Sequence, residues 1–520
     1  MRTGAAGPEG ANVVAVKPPG AVARNVLMSI LGFVWPVALL AVSTPIVFHG
    51  LGEAGFGVWS LVGNVIGYLG AFNSLQTAGT KYLAEYLATD DRVAIRHLLG
   101  TSLIFNVLMG SLGGAAIFAI ARPLAMHWLV IPAGLRTDAV VAFRIAGVGF
   151  FVSALGWWGA SILAGAQRYG WLAAIVAVTA TVAAAGSIAA VELHFGVVGV
   201  AIANVFSAML AAVLYGWCAH HVLRTVVSSM SYDSAMLRRV LSYGVFSTLH
   251  VVFGVVTTQL DRTLLGLWVG VAAVAIYSVP LSIASKVHQL CAKALEVVLP
   301  LASGSRIDGR YELGDRLLLR AQNANCFLVL IIAVPLLVLA PDILRVWIGP
   351  EFALKASTIF RCLIVAYGVL ALNVAASNIV AGFGNPEVNA AFAFGLGAVN
   401  AVGYVALIPR WGALGAAIAS AIGSAIAVPP FLWYVRRRFF HVRWSVILRR
   451  AVIRPFVSAA VTALLTVVMR QWITGLVSLA LVVTCSCSVY LALTAALGVW
   501  HPAEVPLLNR LWAAAQYRST

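Results

Sequence analysis

Charged residues are scarce in this 520-residue chain. Asp, Glu, Lys and Arg make up 10% of it, against about 25% in a typical soluble domain. Hydrophobic residues reach 62%, which excludes a water-soluble globular fold. Acids are the rarer sign, 17 against 34 Lys and Arg. Cysteine is also sparse. Cys218, Cys291, Cys326, Cys362, Cys485 and Cys487 fall in or beside apolar runs, with neither metal-ligand spacing nor a disulfide framework. Cys485 and Cys487 are two apart on a helix and face different ways. There is no Gly-rich phosphate loop and no HExxH, and Asp90-Asp91 is an isolated acidic pair in a polar connection. The longest polar connection, residues 219–240, is too short to fold around a core of its own. Nothing outside the apolar part can carry catalysis, so the chain does not read as an enzyme, and its function must reside within the membrane.

What is present is a succession of long apolar runs. A membrane-spanning helix needs about 20 mostly apolar residues, and fourteen such segments are centred near residues 36, 67, 110, 150, 181, 207, 251, 284, 331, 368, 398, 424, 461 and 486. They are too long for barrel strands, so the expected fold is all-α and polytopic. Residues 1–24 form a polar tail without the short apolar core or cleavage site of a signal peptide. Lys and Arg set the orientation. With the N-terminus inside, even-numbered connections and both tails hold 23 of the 34, outside connections hold seven, and four lie within spans. The positive-inside rule then puts both termini in the cytoplasm. The net charge of +17 is accounted for by those inner connections and by anionic lipid heads, so a nucleic-acid partner is not expected.

The chain also repeats itself. Gly52-Glu-Ala-Gly-Phe-Gly-Val-Trp59-Ser60 returns as Gly270-Val-Ala-Ala-Val-Ala-Ile-Tyr277-Ser278, 218 residues later. Ala164-Gly165 returns as Ala381-Gly382 at 217, and Phe195 to Ala203 returns as Trp411 to Ala419 at 216. Paired repeats in a membrane chain mark transporters, with the substrate site between the halves. The expected division is a tail at 1–24, a first six-helix lobe at 25–220 and a linker at 221–240. A second six-helix lobe follows at 241–435, and a basic loop with two further spans and a tail occupies 436–520.

The eighth span carries the clearest polar signal. Lys286, Gln289, Lys293 and Glu296 fall on one helical face in an otherwise apolar run. A charge in mid-span costs about 2.5–3.5 kcal/mol on insertion scales and normally faces a wet cavity or a partner. Lys293 and Glu296 can pair along the helix, whereas no such local partner is expected for Lys286. The face is net positive, as an anionic substrate requires; an interhelical salt bridge that only braces the bundle is the alternative. His250, Thr257 and Asp261 recur at helical spacing in the seventh span, with Asp261-Arg262 expected near its outer end. Asp261 can hold a coupling cation or pair with a lysine, and His250 is a candidate proton relay or a packing residue. Arg144 and Arg361 are further basic candidates within spans. Ser60, Asn64, Gly67, Ser74 and Lys81 follow helical spacing and form a polar, uncharged face in the second span, with Lys81 and Glu85 at its cytoplasmic end as a gate pair or a topology anchor. Pro36 interrupts the first span and Pro280 opens the eighth, so both helices are expected to kink.

Leu51-Gly52-Glu-Ala-Gly-Phe56-Gly57-Val-Trp59-Ser60-Leu61 resembles the polysaccharide-transporter (Wzx-type, O-antigen flippase) branch of the MOP superfamily, and Asp261-Arg262-Thr-Leu-Leu-Gly266-Leu-Trp-Val-Gly270, running to Tyr277, resembles that family's midpoint signature. The resemblance covers most of residues 25–435. It implies two six-helix lobes related by an axis along the membrane normal and enclosing a central cavity. It also implies transport of an undecaprenyl-pyrophosphate-linked oligosaccharide to the periplasmic leaflet of a bacterial inner membrane by alternating access. Lys286, Lys293, Arg361 and Arg144 would hold the pyrophosphate or acidic sugars, helped by Gln289 and Asn64. Asp261, Glu296, His250, Lys81 and Glu85 would couple or gate. No cofactor is implied; Na⁺, H⁺ or the membrane potential would drive transport, and a polymerase and chain-length regulator of the same pathway would be partners beside the membrane lipids. Many relatives carry Asp-Leu-Gly after the second span where this chain has Asn73-Ser74-Leu75-Gln76. The rival readings are a multidrug-type cation antiporter, which wants buried acids in excess, and a polysaccharide polymerase or glycosyltransferase, which needs a long periplasmic loop.

Overall fold

The computed structural model describes residues 19–70, 75–223, 230–307 and 311–499, and among them there is no strand. The first lobe contains α1 (Pro19–Gly70), α2 (Leu75–Ala88), α3 (Arg92–Pro123), α4 (Arg136–Gly165), α5 (Tyr169–Glu192) and α6 (Gly196–Val222). The second contains α7 (Ser234–Trp268), α8 (Val271–Ala294), α9 (Val298–Ile307), α10 (Tyr311–Val338), α11 (Ala340–Trp347), α12 (Pro350–Ala371), α13 (Val374–Gly382) and α14 (Pro386–Phe439). Then come α15 (Trp444–Ile447), α16 (Arg454–Met469) and α17 (Leu476–Ala496). Eleven helical segments of the described residues are long and apolar enough to span a bilayer. Gly52 and Gly412 break α1 and α14 into two passes each, and the 35-residue α7 supplies one more. Counting α7, which is not one of the eleven, as a pass brings the number to the fourteen read from sequence.

Two boundaries move. Helix α1 starts at Pro19, inside the expected tail, and α7 starts at Ser234, so the polar link between lobes is shorter than residues 219–240. Pro36 lies in the uninterrupted first arm of α1, and Pro280 lies well inside α8 on its buried face rather than opening it. Neighbouring helices make a missing backbone hydrogen bond tolerable at such positions.

The repeat is visible in the backbone. Gly52 (φ 67°) and Gly270 (φ 123°) turn the chain at corresponding points, as do Gln167 (φ 56°) with Gly384 (φ 77°), and Gly196 (φ 59°) with Gly412 (φ 55°). These are the junctions where the three sequence echoes fall. Glycine recurs there because positive φ is strained for residues with a β-carbon.

Among the described residues, the large core shared by the lobes lies at one end. Val58, Leu61 and Val62 of α1 and Leu129 and Ile131 after α3 pack with Leu265, Val271, Val274 and Phe352 of the second lobe. At the opposite end, which carries Arg436–Arg438, the core divides in two. One part gathers Leu83, Ile95, Leu98 and Ile162, and is joined by Met236 and Val240 at the start of α7. The other gathers Leu295, Val298, Val374, Ile379 and Phe431 of the second lobe with Ile447 and Ala451 beyond it. Helices α16 and α17 are fastened to α10, where Tyr490 stacks on Phe327 at 5.4 Å. Buried Asp342 of α11 bridges Arg345 (3.3 Å) and Arg470.

Candidate functional site

On α8, Ala284, Val287 and Cys291 are fully buried, and the last two pack with Val329 and Ala371. The polar stripe is on another face, turned away from the lobe's packed interior. Lys286 and Lys293 are half-buried, and Gln289 and Glu296 are exposed. Lys293 Nζ donates to Glu296 Oε2 at 2.6 Å, as the spacing predicts. Lys286 does have a local partner after all: its Nζ donates to Gln289 Oε1 at 2.9 Å. A three-residue step aligns these side chains one turn apart, and because Gln289 is neutral the face keeps a net positive charge.

Arg144 and Arg361 are 217 residues apart and occupy corresponding helices, α4 and α12. Both are exposed. Arg144 lies 5.0 Å from the Phe118 ring centroid on a stripe with exposed Val141 and Val148. Such apolar surroundings suit a lipid-facing surface better than a wet cavity.

Asn64 does not line an open space. It is 1% exposed and clasps the second lobe, its Nδ2 donating to Thr263 Oγ1 (2.8 Å) and to the Gln259 carbonyl (3.1 Å). Tyr68 shares a hydrogen bond of 2.9 Å with the same threonine. Closer to the shared end, Val130 N donates to the Gly266 carbonyl (3.0 Å) and Val271 N to the Val130 carbonyl (3.2 Å), while Lys355 pairs with Glu53 at 2.6 Å. Glycines make the approach possible: a β-carbon on Gly67 would lie 2.2 Å from Gln259 Nε2. At the divided end, Lys81 pairs with Glu85 at 3.7 Å within its own helix, not across the lobes. A cross-lobe contact there is made by Arg239, which lies over Tyr82 and donates to Tyr86 Oη at 3.1 Å. The side chains of His250, Thr257 and Ser74 lie outside the described residues.

Asp261 is enclosed. It is 2% exposed within the second lobe. Its carboxylate accepts from Tyr277 Oη at 2.6 Å and lies 3.8 Å from Arg262 Nε, so no lysine is its partner. Beside it is a small chamber of about 40 Å³ lined by Tyr367, Asn400, Tyr404, Ser420 and Ser424. Tyr404 and Ser420 are hydrogen-bonded at 2.9 Å, and Asn400 Oδ1 is buried without a partner. A β-carbon on Gly423 would lie 1.8 Å from that oxygen. An acid with an amide oxygen and hydroxyls is a donor set for a hard cation or a proton.

Sequence reasoning missed every chamber residue but Asp261 as a site residue. The available signal was the four-residue spacing of Asn400 with Tyr404 and of Ser420 with Ser424 in apolar runs. The first lobe has a counterpart cavity of about 250 Å³, lined by Ser43, Thr44, Trp59, Ser187 and Asn204 among others. Trp59 and Tyr277 are 218 residues apart, Ser187 and Tyr404 217, Asn204 and Ser420 216, and Ser43 and Asp261 218. The two chambers are thus repeat-related, and the acid belongs to the second alone.

The profile of the family described as "Polysaccharide biosynthesis protein" matches residues 22–305. A putative O-antigen transporter of Shigella flexneri is 22% identical over 427 residues, covering 80% of this chain and 97% of the relative. The fold is that of MOP-superfamily transporters. An inward-facing multidrug-resistance MATE transporter superimposes with a TM-score of 0.70 at 16% identity, covering 81% of this chain and 99% of that one. The lipid II flippase MurJ in an inward closed conformation gives 0.69 at 14%, covering 91% and 99%.

Proposed function

Since the chain belongs to the polysaccharide biosynthesis protein family, we propose that it is a flippase moving a lipid-linked oligosaccharide between leaflets of the bacterial inner membrane. The observation that carries this is the uneven joining of the lobes: one shared core at the Gly52–Gly270 end, divided cores at the arginine-rich end. Two lobes closed at one end and parted at the other form one half of an alternating-access cycle. The arginine-rich end is assigned to the cytoplasm by the positive-inside rule, which also places both termini there and makes the shared core the periplasmic seal.

The substrate is an undecaprenyl-pyrophosphate carrying a repeat unit, with Lys286 and Lys293 as its anion contacts and Arg361 as a further one. Lysine suits this role as a point charge on a flexible stem that can follow a moving phosphate. Moving a charge across the membrane is worth about 2.3 kcal/mol per 100 mV, so an inside-negative potential drives the anion outward. The chamber at Asp261 couples transport to Na⁺ or H⁺; small and holding one acid, it fits a coupling ion better than a bulky organic cation. A polymerase and chain-length regulator would receive the flipped unit.

Deletion tests the function. A flippase loses all surface polymer and traps lipid-linked units on the cytoplasmic leaflet. Surface polymer of altered length would instead mark a polymerase, and unaltered polymer with lost organic-cation efflux would mark an antiporter.

A further inference from the structure

The two arms of α14 do not close on each other at the arginine-rich end. Ala391, Gly395 and Val399 of one arm face Ala427, Pro430 and Tyr434 of the other across a crevice of about 510 Å³. Its lining is small or rigid, and Phe392 and Phe431, with ring centroids 4.6 Å apart, prop the arms. A β-carbon on Gly395 would meet nothing within 4 Å. Such a gap forfeits dispersion contacts unless something apolar enters it, since helices in lipid associate largely by packing. The crevice runs from Glu387 to Val399, about 18 Å at 1.5 Å per residue. That is about the hydrocarbon depth of one leaflet, half of ~30 Å.

The mouth carries both charge signs. Glu387 lines it and is exposed. Arg437 and Arg438, also exposed, follow Tyr434 by three and four residues and so share its helical face. Arg437 is held 5.2 Å from the Trp433 ring centroid, while Arg436 is engaged with the Val442 carbonyl at 2.7 Å. We propose that this crevice binds one acyl chain of an amine-bearing zwitterionic phospholipid, its phosphate on Arg437 and Arg438 and its ammonium on Glu387. Basic pockets beside membrane helices take lipid phosphates, and the carboxylate adds selection for the amine. Leu396 lines both the crevice and the Asp261 chamber, so an occupying chain presses on the chamber wall. The proposal rests on the membrane embedding of the chain and not on which solute it carries.

Native mass spectrometry of the full chain, in a mixture of phosphatidylethanolamine, phosphatidylcholine and phosphatidylglycerol with matched acyl chains, tests it. Phosphatidylethanolamine should be retained several-fold over the other two. Glu387→Gln should abolish its advantage over phosphatidylcholine while leaving total bound lipid unchanged. Gly395→Leu, whose β-carbon meets nothing within 4 Å, should fill the crevice and remove the retained lipid at unchanged Tm. Equal retention of the three lipids, a preference for phosphatidylglycerol, or full retention by the Gly395→Leu protein would overturn the assignment.

Discussion

Gly57 stands against the carbonyl of Val271 across the seam between the lobes, and a β-carbon on it would lie 1.8 Å from that oxygen. The clash is with backbone of the other lobe, so no side-chain rotation relieves it. Gly57→Ala should therefore hold the lobes apart at this end and trap the transporter open there. We expect export to be lost with protein level unchanged. A Glu53→Cys/Lys355→Cys pair, which replaces the 2.6 Å ion pair, should cross-link readily in the parent and several-fold less in the Gly57→Ala background. Equal cross-linking would refute the seal.

The lysines of α8 supply the second prediction. Lys286→Ala and Lys293→Ala should each reduce surface polysaccharide several-fold, and the double variant should nearly abolish it, with membrane abundance unchanged. Arg144→Ala should have little effect, given its apolar surroundings. Full export by the double variant would remove the anion contacts from α8.

A third concerns the chamber. Asp261→Asn keeps the shape but removes the charge, and Tyr277→Phe removes the 2.6 Å hydrogen bond to it. In proteoliposomes, Asp261→Asn should flatten the dependence of transport on Na⁺ or pH gradients, and Tyr277→Phe should shift it. Gly423→Ala should resemble Asp261→Asn by displacing Asn400 Oδ1. A gradient dependence identical to the parent's would show that coupling lies elsewhere.

The fourth addresses the last two spans. Asp342 is buried, accepts from Arg470 Nε and pairs with Arg345 at 3.3 Å. Asp342→Asn should cost about 1–3 kcal/mol, the usual penalty for weakening buried hydrogen bonds to charged groups. A lowered Tm with substrate binding retained would identify a brace; an unchanged Tm would show the latch to be dispensable.

Much of this protein was legible in its order of residues. Each pass must present a long apolar run to lipid, so the number of crossings follows from local composition. The repeat was legible because chain reversals at positive φ favour glycine, as at Gly52, Gly270, Gly196 and Gly412. The Lys293–Glu296 pair followed from helical spacing alone.

Tertiary packing settled what local pattern leaves open. A polar residue in a span can face lipid, water or another helix, and its own neighbours do not distinguish these. Asn64 read as a cavity residue and is a clasp; Asp261 read as a cation or lysine partner and is buried against Tyr277. Arg144 and Lys286 were alike as mid-span cations, yet one rests on Phe118 and the other reaches Gln289. Those outcomes depend on which lobe surface meets which, an arrangement of residues distant in the chain that no single helix encodes.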